Sequence, residues 1–186
     1  NLVLLQQNAI INQPDSVQHQ SRWHRDLPYQ HFVCSEALAA NALLCVDDFT
    51  LATGGTFVLP GSHLFEEFPS NAYVARHEIA VEAAAGNVIM MHAMLYHRAG
   101  VNVSAAPRRG VKHLIGRPLL AQQIDIPRML GDRFVKQRLC KPGLVTFIMS
   151  VFPVAKQVDE EILFKLLAVF HREISSKSHC FRIVTI

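Results

Sequence analysis

Turn chemistry cuts the first 118 residues of this chain into runs too short for ordinary helices. Gly54-Gly55, Pro60-Gly61, Gly86-Asn87 and Gly100 supply the positive φ and fixed φ that tight turns need. Between them lie β-prone stretches: Leu2–Gln7, Gln20–Asp26, Ala42–Asp47, Thr56–Leu59, Glu78–Val81, Val88–Met94, the residues around His97, and Gly110–Ile115. So many short strands predict a mainly β fold, a double-stranded β-helix or cupin-like jelly-roll barrel. Such a barrel can hold a metal in its mouth, lined by inward-facing positions. Ser35–Asn41 reads as a short helix, and Ile126–Leu130 as a connector leaving the barrel. Between Gln157 and Lys177 a helix is expected over Asp159–Arg172, with acidic residues at its start and basic residues at its end, as the macrodipole favours.

A chain of 186 residues, half of them hydrophobic and 18% charged, suits one soluble domain with a real core. It contains no run near the roughly 18–20 apolar residues of a membrane helix. The net charge of +3 is too small to point to nucleic acid, and no basic cluster is interleaved with aromatics. Cys34, Cys45, Cys140 and Cys180 show neither CxxC pairs nor scaffold spacing. They are expected to be buried free thiols in a reducing, cytoplasmic setting. The N-terminus has no basic signal-peptide start. Charge divides the chain: residues 1–132 carry nine basic and eleven acidic side chains, residues 133–186 nine and four. This break predicts a β core over 1–132 and a tail over 133–186 that is partly helical, packs loosely and supplies no site residue.

Within the core, His24-Arg25-Asp26 has a mechanical logic. Residues i and i+2 of an extended strand share a face, so His24 and Asp26 can converge on one ion while Arg25 points away. Two histidines and a carboxylate make the facial triad of a non-haem Fe(II) site, which leaves positions open for co-substrates. The third ligand must come from elsewhere in the fold. His97 and His92 both lie in apolar surroundings, five residues apart, and an odd separation puts them on opposite faces of a regular strand.

The order of the flanking motifs decides between them. Thr53 to His63 reads TGGTFVLPGSH, Gly86 to Met91 reads GNVIMM, and His97 to Ser104 reads HRAGVNVS before Pro107-Arg108-Arg109. With Trp23 to Asp26, this series resembles the phytanoyl-CoA dioxygenase family, a branch of the Fe(II)/2-oxoglutarate-dependent oxygenases, over about residues 1 to 132. The resemblance favours His97 as the distal ligand and implies that Arg108, eleven residues on, clamps the far carboxylate of 2-oxoglutarate. A guanidinium suits that task, being always charged and able to bind a carboxylate bidentately. Neighbouring strand residues face opposite ways, so Arg108 or Arg109 enters the barrel but not both. Spacing and the room left by Gly110 favour Arg108. Ala99 stands where the family often places a small hydroxyl or glycine. The Pro60-Gly61-Ser62-His63 segment reads as a turn, with His63 outside the metal set. Trp23, Tyr29, His31 and Phe32 are candidates to line a substrate pocket.

The resemblance implies a hydroxylase that uses Fe(II), 2-oxoglutarate and O2 on a small-molecule substrate, releasing succinate and CO2. Asp26 argues against halogenation, since related halogenases place a small residue there. Only 23 residues precede the HxD, fewer than the family usually carries, so the chain is expected to be an N-terminally truncated piece. That motivates the alternative of an inactive or non-catalytic metal- or ligand-binding barrel. A cupin-type metalloenzyme without a keto acid is a third reading, disfavoured by Arg108. Neither substrate nor oligomeric state is legible.

Overall fold

The structure, a computed structural model, describes residues 2–16, 19–27 and 31–122, positions 125 and 128, and the backbone of residues 183–185. One sheet contains β1 (Val3–Asn12), β2 (Ala39–Cys45), β5 (Val88–His92), β7 (Arg108–Gly116) and β8 (Ile183–Thr185), in the order β1-β7-β2-β5-β8. The other contains β3 (Thr56–Val58), β4 (Ile79–Val81) and β6 (His97–Ala99), in the order β4-β3-β6. All pairings are antiparallel except β5 with β8. This is the jelly-roll architecture expected from the turns.

The core lies between the sheets. Leu43 and Cys45 of β2 and Ile89 and Met91 of β5 alternate inward to meet Val58 of β3 and Val81 of β4, around a fully buried Phe49. The intervening residues Ala42, Val88 and Met90 form a second buried cluster on the opposite face. Burial on both faces explains why these strands read as continuous apolar runs rather than alternating ones.

Two expectations need correction, and one helix is new. Ser35–Asn41 is not a helix: Ala39 to Asn41 belong to β2 and pair with both β5 and β7. Alanine's helix preference is worth only tenths of a kcal/mol, and a central ladder position overrides it. Gln20–Asp26 is not a strand either, because His19–Ser21 forms a 3-10 turn and only His24 pairs, in an isolated bridge to His97. Helix α1 (Asn71–His77) was not anticipated. Ser70 caps it, its hydroxyl accepting from the Tyr73 amide at 3.3 Å, and Arg76 and His77 close it. Of the tail, the described residues Ile183–Thr185 pair with Val88–Met90. The helix expected over Asp159–Arg172, most of the 126–130 connector, and Cys140 and Cys180 lie outside the described residues. Of the cysteines within them, Cys45 is buried as expected while Cys34 is exposed.

The glycine and asparagine motifs are structural staples. Gly54 has φ of +70°, and a Cβ there would meet Asn12 Nδ2 and the Gly100 carbonyl, each at 2.5 Å. Asn12 donates to the Gly54 and Gly100 carbonyls at 3.2 and 3.0 Å. Asn102 donates to the Asn12 and Ala106 carbonyls at 2.9 and 2.8 Å and accepts from the Ser104 hydroxyl at 2.6 Å. Both asparagines are buried. Asn102→Ala should therefore cost on the order of 3 kcal/mol, because buried carbonyls lose their donors. The urea midpoint would show it, and a loss below about 0.5 kcal/mol would contradict the staple.

His113 gives the fold a pH dependence. Its ring is buried on β7, and Gln7 Nε2, which can only donate, lies 2.7 Å from its Nε2. Burial lowers its pKa below 6.5, outweighing the opposing Ala42 carbonyl. The unfolded chain then takes up a proton that the folded chain refuses, so stability falls as pH drops below about 6.5. Denaturation at pH 7.5 and 5.5 should show this loss, with a smaller loss in His113→Gln.

Candidate active site

His24 and His97 are joined through their backbones. The His24 amide donates to the His97 carbonyl at 3.0 Å, and the His97 amide returns the bond at 3.1 Å. The Asp26 amide donates to the Ala93 carbonyl at 3.1 Å, which keeps the HxD segment extended without a full ladder. Alternation therefore survives, and Arg25 points away from the other two. Its guanidinium, buried, lies over the Tyr96 ring at 4.1 Å and donates to the carbonyls of Ser62 (2.8 Å), Glu66 (3.3 Å) and Phe65. Ser62 in turn accepts from the Tyr96 amide at 2.8 Å. The Pro60–His63 turn, entered through Gly61 at φ 74°, is thus fastened both to the HxD segment and to the residue before His97. His63 stacks on His92, ring centroids 4.8 Å apart, and neither joins the triad.

His24, Asp26 and His97 each present a ligand atom, all within 4.8 Å of one another; among the described residues this is the one such group of His, Cys, Asp and Glu. His24 Nδ1 lies 2.8 Å from the Arg22 carbonyl, and His97 Nδ1 lies 2.9 Å from the Leu95 carbonyl. A carbonyl can only accept, so each Nδ1 carries the proton and each Nε2 is turned toward the site. His24 Nε2 is buried without a hydrogen-bond partner among the described residues. His97 Nε2 faces Asp26 Oδ2 at 3.2 Å. Two lone pairs so placed need a proton or a cation between them. Burial, and then the charge of His97, hold the His24 pKa below 6.5 and favour its neutral, metal-competent form. For Asp26, burial acts to raise the pKa, but His97 and Lys112 outweigh it and hold the carboxyl well below the usual range. The donor set fits a divalent metal.

The triad opens on a cavity whose walls include Ile10, Leu43, Thr56, Met91, Arg108 and Lys112. Arg108 is 2% exposed. It donates to the Gly54 carbonyl at 2.6 Å and lies 4.0 Å over the Phe49 ring, which also fills the space beside Gly110. Its Nε is a buried donor with no partner, and no carboxylate pairs with it among the described residues. Burial lowers its pKa to about 10, so it stays charged at neutral pH. Arg109 faces solvent and pairs with Asp47 at 2.7 Å.

Two neighbours of Asp26 were missed in the sequence. Lys112 Nζ bonds Oδ1, and Asn41 Nδ2 bonds Oδ2. Counting by twos along β7 from Arg108 would have found Lys112. Asn41 lies on β2, and no local signal marks it. Ala99 lacks a hydroxyl, but its register partner Thr56 brings one to the same cavity. Trp23 packs under Arg98 and beside Phe68, while His31 and Phe32 are exposed and Tyr29 lies outside the described residues.

Solved structures share this fold. EvdMO1 is similar with a TM-score of 0.51 at 23% identity, over 63% of this chain and 28% of that one. EctD from S. alaskensis, solved with 2-oxoglutarate and 5-hydroxyectoine, has a TM-score of 0.51 at 21% identity, over 62% and 44%. The sequence profile of the phytanoyl-CoA dioxygenase (PhyH) family matches residues 2–110, and the chain belongs to that family. The Mycobacterium tuberculosis protein named Uncharacterized protein Rv1501 is 36% identical over 119 residues, 64% of this chain and 43% of that protein. The dioxygenase olcK of Penicillium canescens is 30% identical over 131 residues, 66% of this chain and 43% of its own. The chain thus spans less than half the length of these curated relatives. No helix among the described residues is long and apolar enough to cross a membrane.

Proposed function

We propose that this chain carries the catalytic core of an Fe(II)/2-oxoglutarate-dependent dioxygenase that hydroxylates a small organic substrate and releases succinate and CO2. The observation that carries the reading is the convergence of His24, Asp26 and His97 beside a buried Arg108 that has no carboxylate partner among the described residues. His24, Asp26 and His97 would hold iron, which supplies activation of O2 when bound. Arg108 would hold the far carboxylate of the keto acid. The Arg22 and Leu95 carbonyls fix the imidazole tautomers, and Asn41 and Lys112 orient the Asp26 carboxylate. Ile10, Leu43 and Met91 keep the cavity wall apolar, which strengthens charged interactions inside it. Asp26 occupies the position that a halogenase would leave to a halide, so hydroxylation is the proposed outcome.

An anaerobic titration of the Fe(II)-loaded chain with 2-oxoglutarate, followed by a succinate assay in air, tests this. Binding with succinate formation is expected. Binding without succinate would support a ligand-binding barrel. Metal binding without keto-acid binding would support a cupin-type enzyme.

A further inference from the structure

We propose that Lys112 is a second carboxylate-binding residue of the cavity, holding the metal-end carboxylate of the keto acid whose far end Arg108 holds. The inference rests on the functional reading above and adds a residue to it. Lys112 is 8% exposed and lines the same cavity as His24, His97 and Arg108. Its ammonium bonds Asp26 Oδ1, its one partner among the described residues. An ammonium has three donors, so two remain for a ligand.

Charge and position point to the same ligand. Among the described residues no Asp or Glu other than Asp26 of the triad stands at the cavity, and Arg98 is already paired with Glu78 at 2.8 Å. A divalent metal beside Asp26 would add two positive charges to those of Arg108 and Lys112, against the one negative charge of Asp26. That surplus in an enclosed space draws in a dianion. Alternation along β7 puts Arg108, Gly110 and Lys112 on one face, with the two cations about 13 Å apart at Cα. The Lys112 head sits at the triad, and the Arg108 head sits at Phe49 and the Gly54 carbonyl. A short dicarboxylate lying between them would have one end marked by each.

The test uses the full chain loaded with Mn(II) under anaerobic conditions, titrated calorimetrically with 2-oxoglutarate and with 2-oxopentanoate, which lacks the far carboxylate. At saturating Mn(II), Lys112→Met should weaken both keto acids by a similar factor, about 10- to 100-fold. Arg108→Met should weaken 2-oxoglutarate alone, and Lys112→Arg should recover most of the loss. If Lys112→Met does not fold, Lys112→Gln is read the same way. The proposal is overturned if the lysine variants change only Mn(II) affinity and leave both keto acids bound as before, because Lys112 then serves Asp26 alone. Wild-type protein that binds Mn(II) but neither keto acid would overturn the functional reading as well, which separates the two failures.

Discussion

His97→Ala should abolish iron binding and all keto-acid turnover, whereas His92→Ala should leave the metal in place. The two histidines are five residues apart and both half or more buried, so bulk environment does not separate them. Orientation does. His97 turns its Nε2 to Asp26 at 3.2 Å with its Nδ1 tied to the Leu95 carbonyl, while His92 accepts from the Met94 amide at 3.0 Å and stacks on His63. Losing one of three protein ligands should exceed the roughly 10- to 100-fold loss in metal affinity that outer partners are worth. His24→Ala and Asp26→Ala should behave like His97→Ala. Electron paramagnetic resonance of Mn(II), read beside succinate yield, would give both quantities. Metal retained by His97→Ala and lost by His92→Ala would mean that the distal ligand is misassigned.

Arg108→Met should raise the 2-oxoglutarate requirement by about 30-fold to several thousandfold with metal retained, corresponding to roughly 2–5 kcal/mol for removing one partner of a desolvated charge pair. Methionine keeps part of the stem over Phe49, which limits the structural damage from losing the bond to Gly54. Arg109→Ala should change the requirement little, because Arg109 faces solvent and its partner is Asp47 on the outer surface. A thermal melt of each variant separates loss of fold from loss of binding. The reverse ranking of the two arginines would place the wrong residue in the cavity.

What could be read from the sequence was governed by how locally each feature is determined. Gly54, Gly61 and Gly86 have positive φ, so their turns are written in single residues. Most strands between those turns followed directly. The i, i+2 relation between His24 and Asp26 is equally local and holds even though the surrounding segment is not a ladder strand. Features that depend on partners distant in sequence were harder. Ala39 to Asn41 take strand form because β7 and β5 flank them, and Asn41 reaches Asp26 only through that pairing. Helix α1 had a local signal in Ser70, weak enough to be lost beside the strong turn residues around it. Arg25 was correctly turned away from the site, but its role as a strut for the 62–66 carbonyls needed the fold to bring that turn alongside.

The reciprocal backbone bonds between His24 and His97 bear on how an ion would enter the thermodynamics of this chain. Ligands brought together only by a metal make binding and folding one event, so a chelator unfolds the protein. Here the two imidazoles are brought side by side by amide–carbonyl bonds that need no ion, and the conformational entropy of joining them is charged to the barrel. Metal would then act by mass action on an already folded state, adding about 2.7 kcal/mol at a hundred times its dissociation constant. The thermal midpoint should climb gradually with free metal concentration rather than appear with it. Chelation should return a folded apoprotein that can be refilled with another divalent ion.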